Sequence, residues 1–187
     1  MLTVLLDLDH TLIESIEYHR LTDIEDSTMT IKRLKNNVPE HKPAAEQLAK
    51  YISKVEWHNI PGYVVCLRPH VRTLIKTLYL NGYNVGIWTA ANGNYAKDII
   101  SVLGLTNHPL KYLLFDVHDK TGTKPLKRIF GEDLSRVYII DDNEDVKKVQ
   151  DKNCFHIKPF YVESLTVSQD VELLKACNFL AEKTHNL

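Results

Sequence analysis

Short apolar segments alternate with amphipathic ones along most of this chain, and this alternation limits the possible folds more than any other feature. Brief apolar runs bounded by turn residues favour buried strands. Strands that alternate with helices form a parallel sheet through right-handed crossovers. The pattern therefore predicts an α/β fold, a three-layer sandwich with a central parallel sheet. The predicted strands are Leu2–Leu6, Tyr83–Trp88, Tyr112–Phe115, Val137–Ile140 and Phe155–Ile157.

The amphipathic segments predict five helices. The first, Pro69–Leu80, has a proline in its first turn, an apolar face and a stop at Asn81-Gly82, which are ordinary start and end signals. The others are Asn94–Leu103, Lys124–Phe130, Glu144–Lys152 and Val171–Lys183.

Residues 13–65 interrupt the alternation. A stretch of this length is too long for a plain loop in a compact domain. Within it, the sequence predicts a helix over Pro43–Val55 and a strand over Tyr63–Leu67. We therefore expect one domain, 1–187, in which 13–65 form a small cap-like insertion after the first strand.

Composition excludes several classes of protein. The 23 Lys and Arg residues balance 24 Asp and Glu residues, so net charge gives no general attraction to nucleic acid or acidic membranes. Three scattered cysteines without metal-binding spacing suggest buried thiols in a reducing compartment. Without a long apolar segment, no membrane association is expected. We expect an intracellular, cytoplasmic or nuclear protein, with a monomer as the default because nothing indicates the oligomeric state.

Polar residues gather at the carboxyl ends of separate predicted strands. In open α/β sheets this edge is where ligands bind. Four sets of polar groups should therefore converge on one crevice. They are Asp7 and Asp9 after the first strand, Thr89 at the end of the second, Asp141 and Asp142 at the end of the fourth, and Lys124 on a short helix before the fourth.

The crowding of carboxylates in that crevice predicts a cation. Two carboxylates about 4 Å apart repel by roughly 4 kcal/mol at an effective dielectric near 20. Without cations some of them would have to bind protons. Lys124 supplies one positive charge, whereas Mg²⁺ supplies two and prefers oxygen ligands. We therefore expect a Mg²⁺ site.

The same residues resemble the four motifs of the haloacid dehalogenase superfamily. More narrowly, the chain is similar to the small RNA polymerase II C-terminal-domain phosphatases over residues 2–12 and about 67–157. The resemblance implies a Rossmann-like core. Two positions depart from that branch: His70 stands where it usually has glycine, and a serine-proline turn after Asp142 is missing. The motifs are Asp7-Leu8-Asp9-His10-Thr11-Leu12, Trp88-Thr89-Ala90, Lys124 and Asp141-Asp142.

This resemblance implies a magnesium-dependent phosphomonoester hydrolase. Asp7 would be the nucleophile that forms an aspartyl-phosphate, and Asp9 would act as general acid and then general base. Lys124 would balance the charge on Asp7 and on the phosphoryl group. Thr11 is expected to hydrogen-bond within the catalytic loop and fix its two aspartates. Four residues would surround the phosphate of the substrate: Thr11, Thr89, Ala90 and Lys124.

The resemblance also implies the ligands of the metal. The Asp7 carboxylate, the main-chain carbonyl of Asp9 and the Asp142 carboxylate would hold Mg²⁺. Asp141 would orient Lys124 or a water bound to the metal.

The substrate is left open between alternatives. A phosphoserine or phosphothreonine polypeptide is expected, since a small insertion should leave the crevice open to a chain. The basic group Lys32, Arg33 and Lys35 leaves room for a nucleic-acid 3′-end or nucleotide phosphatase. A receiver-type phosphoacceptor domain also uses acidic residues, a threonine and a lysine on a parallel sheet, but it has no need of Asp9. An inactive binding module would not need the complete motif set.

Overall fold

A five-stranded parallel sheet positions the polar residues singled out above. The computed structural model describes residues 1–17, 49–116, 121–164 and 169–185. All four pairings in this sheet are parallel, which confirms the predicted α/β fold. The strands are β1 (Thr3–Leu6), β5 (Asn84–Trp88), β6 (Leu110–Leu114), β7 (Val137–Asp141) and β8 (Cys154–His156). Across the sheet they lie in the order β6-β5-β1-β7-β8.

The register of the central strands determines which residues lie side by side at the carboxyl edge of the sheet. Leu6 pairs with Ile87 of β5 and with Ile140 of β7. The next residue, Asp7, therefore leaves β1 level with Asp141, and its backbone N–H donates to the Ile140 carbonyl at 3.0 Å. Parallel pairing in this register brings residues that are far apart in the chain to one edge.

Close strand packing explains a glycine in the middle of β5. A Cβ atom at Gly86 would lie 2.7 Å from the Leu5 side chain and 2.8 Å from the Tyr112 Cβ. Such contacts are well below van der Waals distance, so a larger residue would push β1 and β6 away from β5.

Among the described residues, five α-helices match the five predicted from amphipathic segments outside the insertion, with ends shifted by a few residues. The predicted apolar face of the first helix is buried. Lys124, which we predicted on a helix, instead precedes it, because Pro125 disfavours the right-handed helical conformation in the residue before it. The Lys124 backbone has a left-handed φ of +48°. The helices are α1 (Val71–Leu80), α2 (Gly93–Val102), α3 (Leu126–Phe130), α4 (Glu144–Val149) and α5 (Glu172–His185).

The chain divides into two compact units. The core unit comprises Met1–Leu12, His70–Pro159 and Val171–Leu187, and the insertion unit comprises Ile13–Pro69 and Phe160–Asp170. The single-domain organisation expected from the sequence stays a prediction. In the described parts of the chain, no helix has the length and apolarity needed to span a bilayer.

The insertion unit contains a three-stranded antiparallel sheet. Its strands are β2 (Ile13–Glu17), β3 (Trp57–Ile60) and β4 (Tyr63–Leu67), and they lie in the order β2-β4-β3. Of these, only β4 was predicted. Residues 49–52 are helical, whereas the earlier part of the predicted helix 43–55 and the basic group at 32–35 lie outside the described residues.

One strand of this sheet has an unexpected buried carboxylate. Glu14 of β2 is 7% exposed and accepts a hydrogen bond from the Val162 backbone N–H at 2.5 Å. In the same unit, buried Arg68 forms an ion pair with Asp170 at 2.9 Å. The Phe160–Asp170 segment is thus tied to the sheet by polar contacts as well as by the burial of Phe160 and Val162.

The predicted burial of the cysteines holds for two of them. Cys66 and Cys154 are buried, and Cys177 is half-buried. Burial raises the pKa of the Cys154 thiol to about 12, and the charge of Asp141 acts in the same direction. These thiols are therefore poor nucleophiles at neutral pH. The cellular compartment stays a prediction.

Candidate active site

The ammonium group of Lys124 lies between two buried carboxylates of the core unit. Its Nζ is 2.6 Å from Asp7 Oδ1 and 2.6 Å from Asp141 Oδ2. All three side chains are at least nine-tenths buried. Burial alone would lower the pKa of Lys124, but the charges of Asp7 and Asp141 outweigh it and raise that pKa. Lys124 is therefore charged at neutral pH.

The loop that carries Lys124 is anchored by Gln150, a buried residue that follows α4. Gln150 Oε1 accepts from the Leu126 N–H at 3.1 Å. Its Nε2 donates to the Val146 carbonyl at 2.7 Å and to the Thr123 carbonyl at 3.4 Å. Gln150 thus binds the backbone on both sides of Lys124. Lys124 itself has a left-handed backbone conformation, which is unusual for a residue other than glycine.

Asp141 uses both carboxylate oxygens within the protein. Oδ2 accepts from Lys124, and Oδ1 accepts from the Asn143 backbone N–H at 2.9 Å. Burial raises the pKa of Asp141, and the nearby charge of Asp7 adds to the effect despite the opposing Lys124 ammonium. These contacts favour a role in orienting Lys124.

Asp142 is held by a residue of the loop that follows β1. Thr11 Oγ1 donates to Asp142 Oδ1 at 3.2 Å and accepts from the Asp142 backbone N–H at 3.1 Å. Thr11 is completely buried. The sequence predicts hydrogen bonds of Thr11 within its own loop. In the structure its hydroxyl binds Asp142 at the end of β7, a contact that local sequence cannot reveal.

The carboxylates of this edge fit a hard divalent cation. Oxygen atoms from Asp7, Asp141 and Asp142 all lie within 4.8 Å of one another. Three carboxylates face the single ammonium of Lys124, so their charge when ionised exceeds what Lys124 compensates. Burial, followed by the charge of Asp7, raises the pKa of Asp141 and of Asp142. An all-oxygen set with this excess suits Mg²⁺. Beside Asp7, the half-buried Asp142 is a more accessible candidate ligand than the fully buried Asp141.

Asp9, two residues after Asp7, contacts a tyrosine. Tyr95 Oη donates a hydrogen bond to Asp9 Oδ1 at 2.5 Å. Burial raises the pKa of Asp9, partly offset by this hydrogen bond, and the charge of Asp7 adds to the increase. A carboxyl group whose pKa is raised can carry a proton at a higher pH than usual, as a general acid requires.

Thr89 and Ala90 follow β5, the strand beside β1. Thr89 is 2% exposed, and its backbone N–H donates to the Leu114 carbonyl at 3.0 Å. Its hydroxyl accepts from the Ala91 N–H at 3.1 Å, which shapes the turn after the strand. Ala90 is exposed at this turn. Both residues are therefore at the predicted edge of the sheet.

Two residues of this site have no role in the sequence analysis. Tyr95 lies in a stretch that carries the family resemblance, but its hydroxyl partner is 86 positions away. Gln150 lies in an unremarkable helical segment. Neither residue type signals catalysis, so only the three-dimensional contacts reveal them.

Comparison of the sequence with known proteins finds similar proteins that match almost the whole chain. A sequence profile of the NLI interacting factor-like phosphatases matches residues 2–186. Protein 037R of Frog virus 3 (isolate Goorha) is 30% identical over 198 residues, which cover 95% of each chain. The CTD phosphatase-like protein 355R of Invertebrate iridescent virus 6 is 29% identical over 194 residues, 94% of each chain.

The fold has a counterpart among solved structures. Fcp1, described as an essential RNA polymerase II CTD phosphatase, superposes with a TM-score of 0.61 at 20% identity. The match covers 97% of this chain and 50% of that one, so the chain spans about half of the Fcp1 structure. The phosphatase resemblance predicted from the motifs is confirmed, and the chain belongs to the NLI interacting factor-like phosphatase family.

Proposed function

We propose that this phosphatase hydrolyses phosphoserine or phosphothreonine esters in polypeptides, with Mg²⁺ and through an aspartyl-phosphate on Asp7. The observation that carries the proposal is the position of Lys124, 2.6 Å from the Asp7 carboxylate and buried with it. A lysine in this place can compensate the charge of both a carboxylate nucleophile and the phosphoryl group that it attacks.

The first chemical step forms the phosphoenzyme. A carboxylate oxygen of Asp7 attacks phosphorus, and the bond from phosphorus to the ester oxygen breaks. Asp9 gives its proton to the departing oxygen. Thr89, at the end of the neighbouring strand, binds a phosphoryl oxygen in this proposal, and Lys124 stays paired with Asp7.

The second step releases phosphate. Water attacks phosphorus, gives one proton to Asp9, and the bond from phosphorus to the Asp7 oxygen breaks. Asp7 returns as a carboxylate and Asp9 as an acid, so the site is ready for another ester. Asp141 holds Lys124 throughout, because both of its oxygens already accept hydrogen bonds from the protein.

The carboxylates of Asp7 and Asp142 would hold Mg²⁺ in this scheme. When bound, the ion supplies positive charge to the phosphoryl oxygens. Thr11 would keep the Asp142 carboxylate in place through its two hydrogen bonds.

The polypeptide substrate is supported by the relatives. The viral protein 355R is CTD phosphatase-like by name, and it aligns with this chain over 94% of both lengths. Membership of a phosphatase family favours turnover over the receiver-type domain that retains its phosphate. The described residues offer no observation that favours a nucleic-acid substrate.

A substrate comparison tests this proposal. The purified chain would be given Mg²⁺ and three substrates: a phosphoserine peptide, a 3′-phosphorylated oligonucleotide and p-nitrophenyl phosphate. We expect turnover of the peptide and of p-nitrophenyl phosphate, abolished in Asp7→Asn, with kcat/KM for the peptide above that for the oligonucleotide. A preference for the oligonucleotide would contradict the proposed substrate, and turnover by Asp7→Asn would contradict the mechanism.

A further inference from the structure

A tyrosine on α2 contacts the carboxyl group that we assign as general acid and base. Tyr95 Oη donates to Asp9 Oδ1 at 2.5 Å, and the two residues belong to the same compact unit. This is a short hydrogen bond for two oxygen atoms. Because a phenol has a single hydrogen to donate, a bond in this direction makes Asp9 Oδ1 a hydrogen-bond acceptor.

The position of Tyr95 is itself determined by a helix cap. Asn92 precedes α2, and its Oδ1 accepts from the backbone N–H groups of Asn94 and Tyr95, both at 3.1 Å. A side-chain cap of this kind fixes the first turn of a helix. The short segment between β5 and α2, which follows Thr89, therefore also determines where Tyr95 lies relative to Asp9.

We propose that Tyr95 is a positioning residue that keeps Asp9 Oδ1 as a hydrogen-bond acceptor, so that the transferred proton resides on Oδ2. This inference rests on the proposed function, in which Asp9 acts as acid and base. A protonated carboxyl group has one hydrogen, and either oxygen can carry it. With Oδ1 occupied by the phenol, the proton is confined to the other oxygen.

The contact also suits the charge change during the reaction. When Asp9 gives up its proton as the ester bond breaks, negative charge develops on the carboxyl group. A hydrogen bond to an ionised acceptor is roughly twice as strong as one to a neutral acceptor. The Tyr95 contact therefore strengthens as the proton leaves, and it weakens again when Asp9 takes a proton from the attacking water.

This role should depend on the leaving group of the substrate. An alkyl oxygen, as in phosphoserine, leaves poorly unless it receives a proton, whereas p-nitrophenolate leaves readily without one. General acid catalysis typically contributes about a hundredfold or more. Misplacing the acid should therefore slow phosphoserine cleavage and leave p-nitrophenyl phosphate cleavage almost unchanged.

The Tyr95→Phe variant tests the inference, because it removes only the hydroxyl and keeps the ring. Tyr83→Phe is a matched control: its hydroxyl makes a similarly short 2.6 Å hydrogen bond with Thr184 near the C-terminal end of α5. The measurement is single-turnover release of the leaving group, with Mg²⁺ present, from a phosphoserine peptide, phenyl phosphate and p-nitrophenyl phosphate. Urea unfolding of each variant reports any loss of stability.

For Tyr95→Phe we expect about a tenfold or greater loss with the peptide and phenyl phosphate, but a loss below about threefold with p-nitrophenyl phosphate. Tyr83→Phe should keep the wild-type ratio between substrates. In an Asp9→Asn background, Tyr95→Phe should cause no further loss, since the proton that it positions is gone.

Two outcomes would overturn the inference, and Asp9→Asn separates their causes. If Asp9→Asn shows the leaving-group dependence and Tyr95→Phe loses activity equally with all substrates, Tyr95 does not position the acid and the proposed function stands. If Asp9→Asn itself shows no such dependence, Asp9 is not the acid, and the proposed function and this inference both fail.

Discussion

Lys124 Nζ lies 2.6 Å from Asp141 Oδ2 in the interior of the core unit, and Asp141 has no solvent exposure. The second oxygen of Asp141 is bonded to the Asn143 backbone, so this carboxylate is dedicated to its neighbours in the protein. The ion pair thus links the backbone at the end of β7 to the lysine that contacts Asp7.

Removal of the lysine should make stability strongly dependent on pH. In Lys124→Met, buried Asp7 and Asp141 lose their compensating charge, which costs about 3–5 kcal/mol when both are ionised. Burial already raises the pKa of Asp141, and loss of the ammonium raises it further. A carboxyl group with a higher pKa in the folded state binds a proton on folding, so stability falls as pH rises.

We therefore expect Lys124→Met to lower the free energy of unfolding strongly at pH 8 and less at pH 5. Urea unfolding with chelator present would measure this. Lys127→Met is the control, because Lys127 pairs with Glu132 on the surface and both side chains are exposed. It should change stability little at either pH. A deficit of equal size at both pH values would contradict this account of the ion pair.

Gln150 should matter for activity as well as for stability. In Gln150→Leu, the Leu126 N–H loses its partner in a buried place, which costs about 1–3 kcal/mol. The loop that places Lys124 should loosen, and a misplacement of about 1 Å can reduce turnover by up to about a hundredfold. The measurement is kcat for p-nitrophenyl phosphate alongside urea unfolding.

Asn153→Leu provides a comparison for Gln150→Leu. Asn153 Nδ2 donates to the Leu134 and Val137 carbonyls at 2.7 and 2.9 Å, so it anchors a different loop of the same unit. We expect a comparable loss of stability with little loss of kcat. Equal losses of kcat in the two variants would show that Gln150 has no special relation to Lys124.

Magnesium affinity should depend on Thr11 as well as on Asp142. Asp142→Ala removes a proposed ligand, and Thr11→Val removes both hydrogen bonds that hold Asp142. Loss of such support typically weakens metal binding about 10–100-fold. Calorimetric titration with Mg²⁺ would measure the affinity of each variant directly. Asp145→Ala is the control: it removes an exposed carboxylate paired with Lys148 and should leave the Mg²⁺ affinity unchanged. An unchanged Mg²⁺ affinity in Thr11→Val would contradict the supporting role of Thr11.

The departure at His70 has a conformational consequence. His70 precedes α1 at φ +69° and makes no side-chain cap hydrogen bond. A left-handed conformation costs a residue with a Cβ atom about 1–2 kcal/mol, and glycine avoids that cost. Glycine also raises the conformational entropy of the unfolded chain, which offsets part of the stability gained by removing the backbone strain.

We expect His70→Gly to raise the free energy of unfolding by up to about 1 kcal/mol and His70→Val to lower it. Urea unfolding of the two variants checks this. A loss of stability in His70→Gly would mean that the histidine side chain makes a favourable contact that outweighs its backbone strain.

The sheet and the edge that bears the site could be predicted because both depend on local pattern. Apolar runs mark the five strands, and parallel strands present their carboxyl ends on one side, which brings Asp7 near Asp141. The strand β2 was missed because its acidic residues resemble a loop. Glu14 is buried there by a backbone partner 148 positions away, and no local pattern encodes such a partner.

The details of the site escaped prediction for the same reason. The contact of Tyr95 with Asp9 and the contacts of Gln150 on both sides of Lys124 each join residues that only the fold brings together. Motif spacing could therefore indicate which residues meet at the edge of the sheet. It could not show which of them hold the others in place.

Trapping the phosphoenzyme tests the central claim, that Asp7 is the nucleophile. Wild-type chain and Asp9→Asn would be mixed with p-nitrophenyl phosphate and Mg²⁺, quenched in acid within one turnover and reduced with borohydride. Peptide mass spectrometry would then locate the reduced aspartyl-phosphate. We predict a modified residue at position 7, more abundant in Asp9→Asn because the second step lacks its base. Turnover without modification at position 7, or with the modification at another carboxylate, would contradict the account.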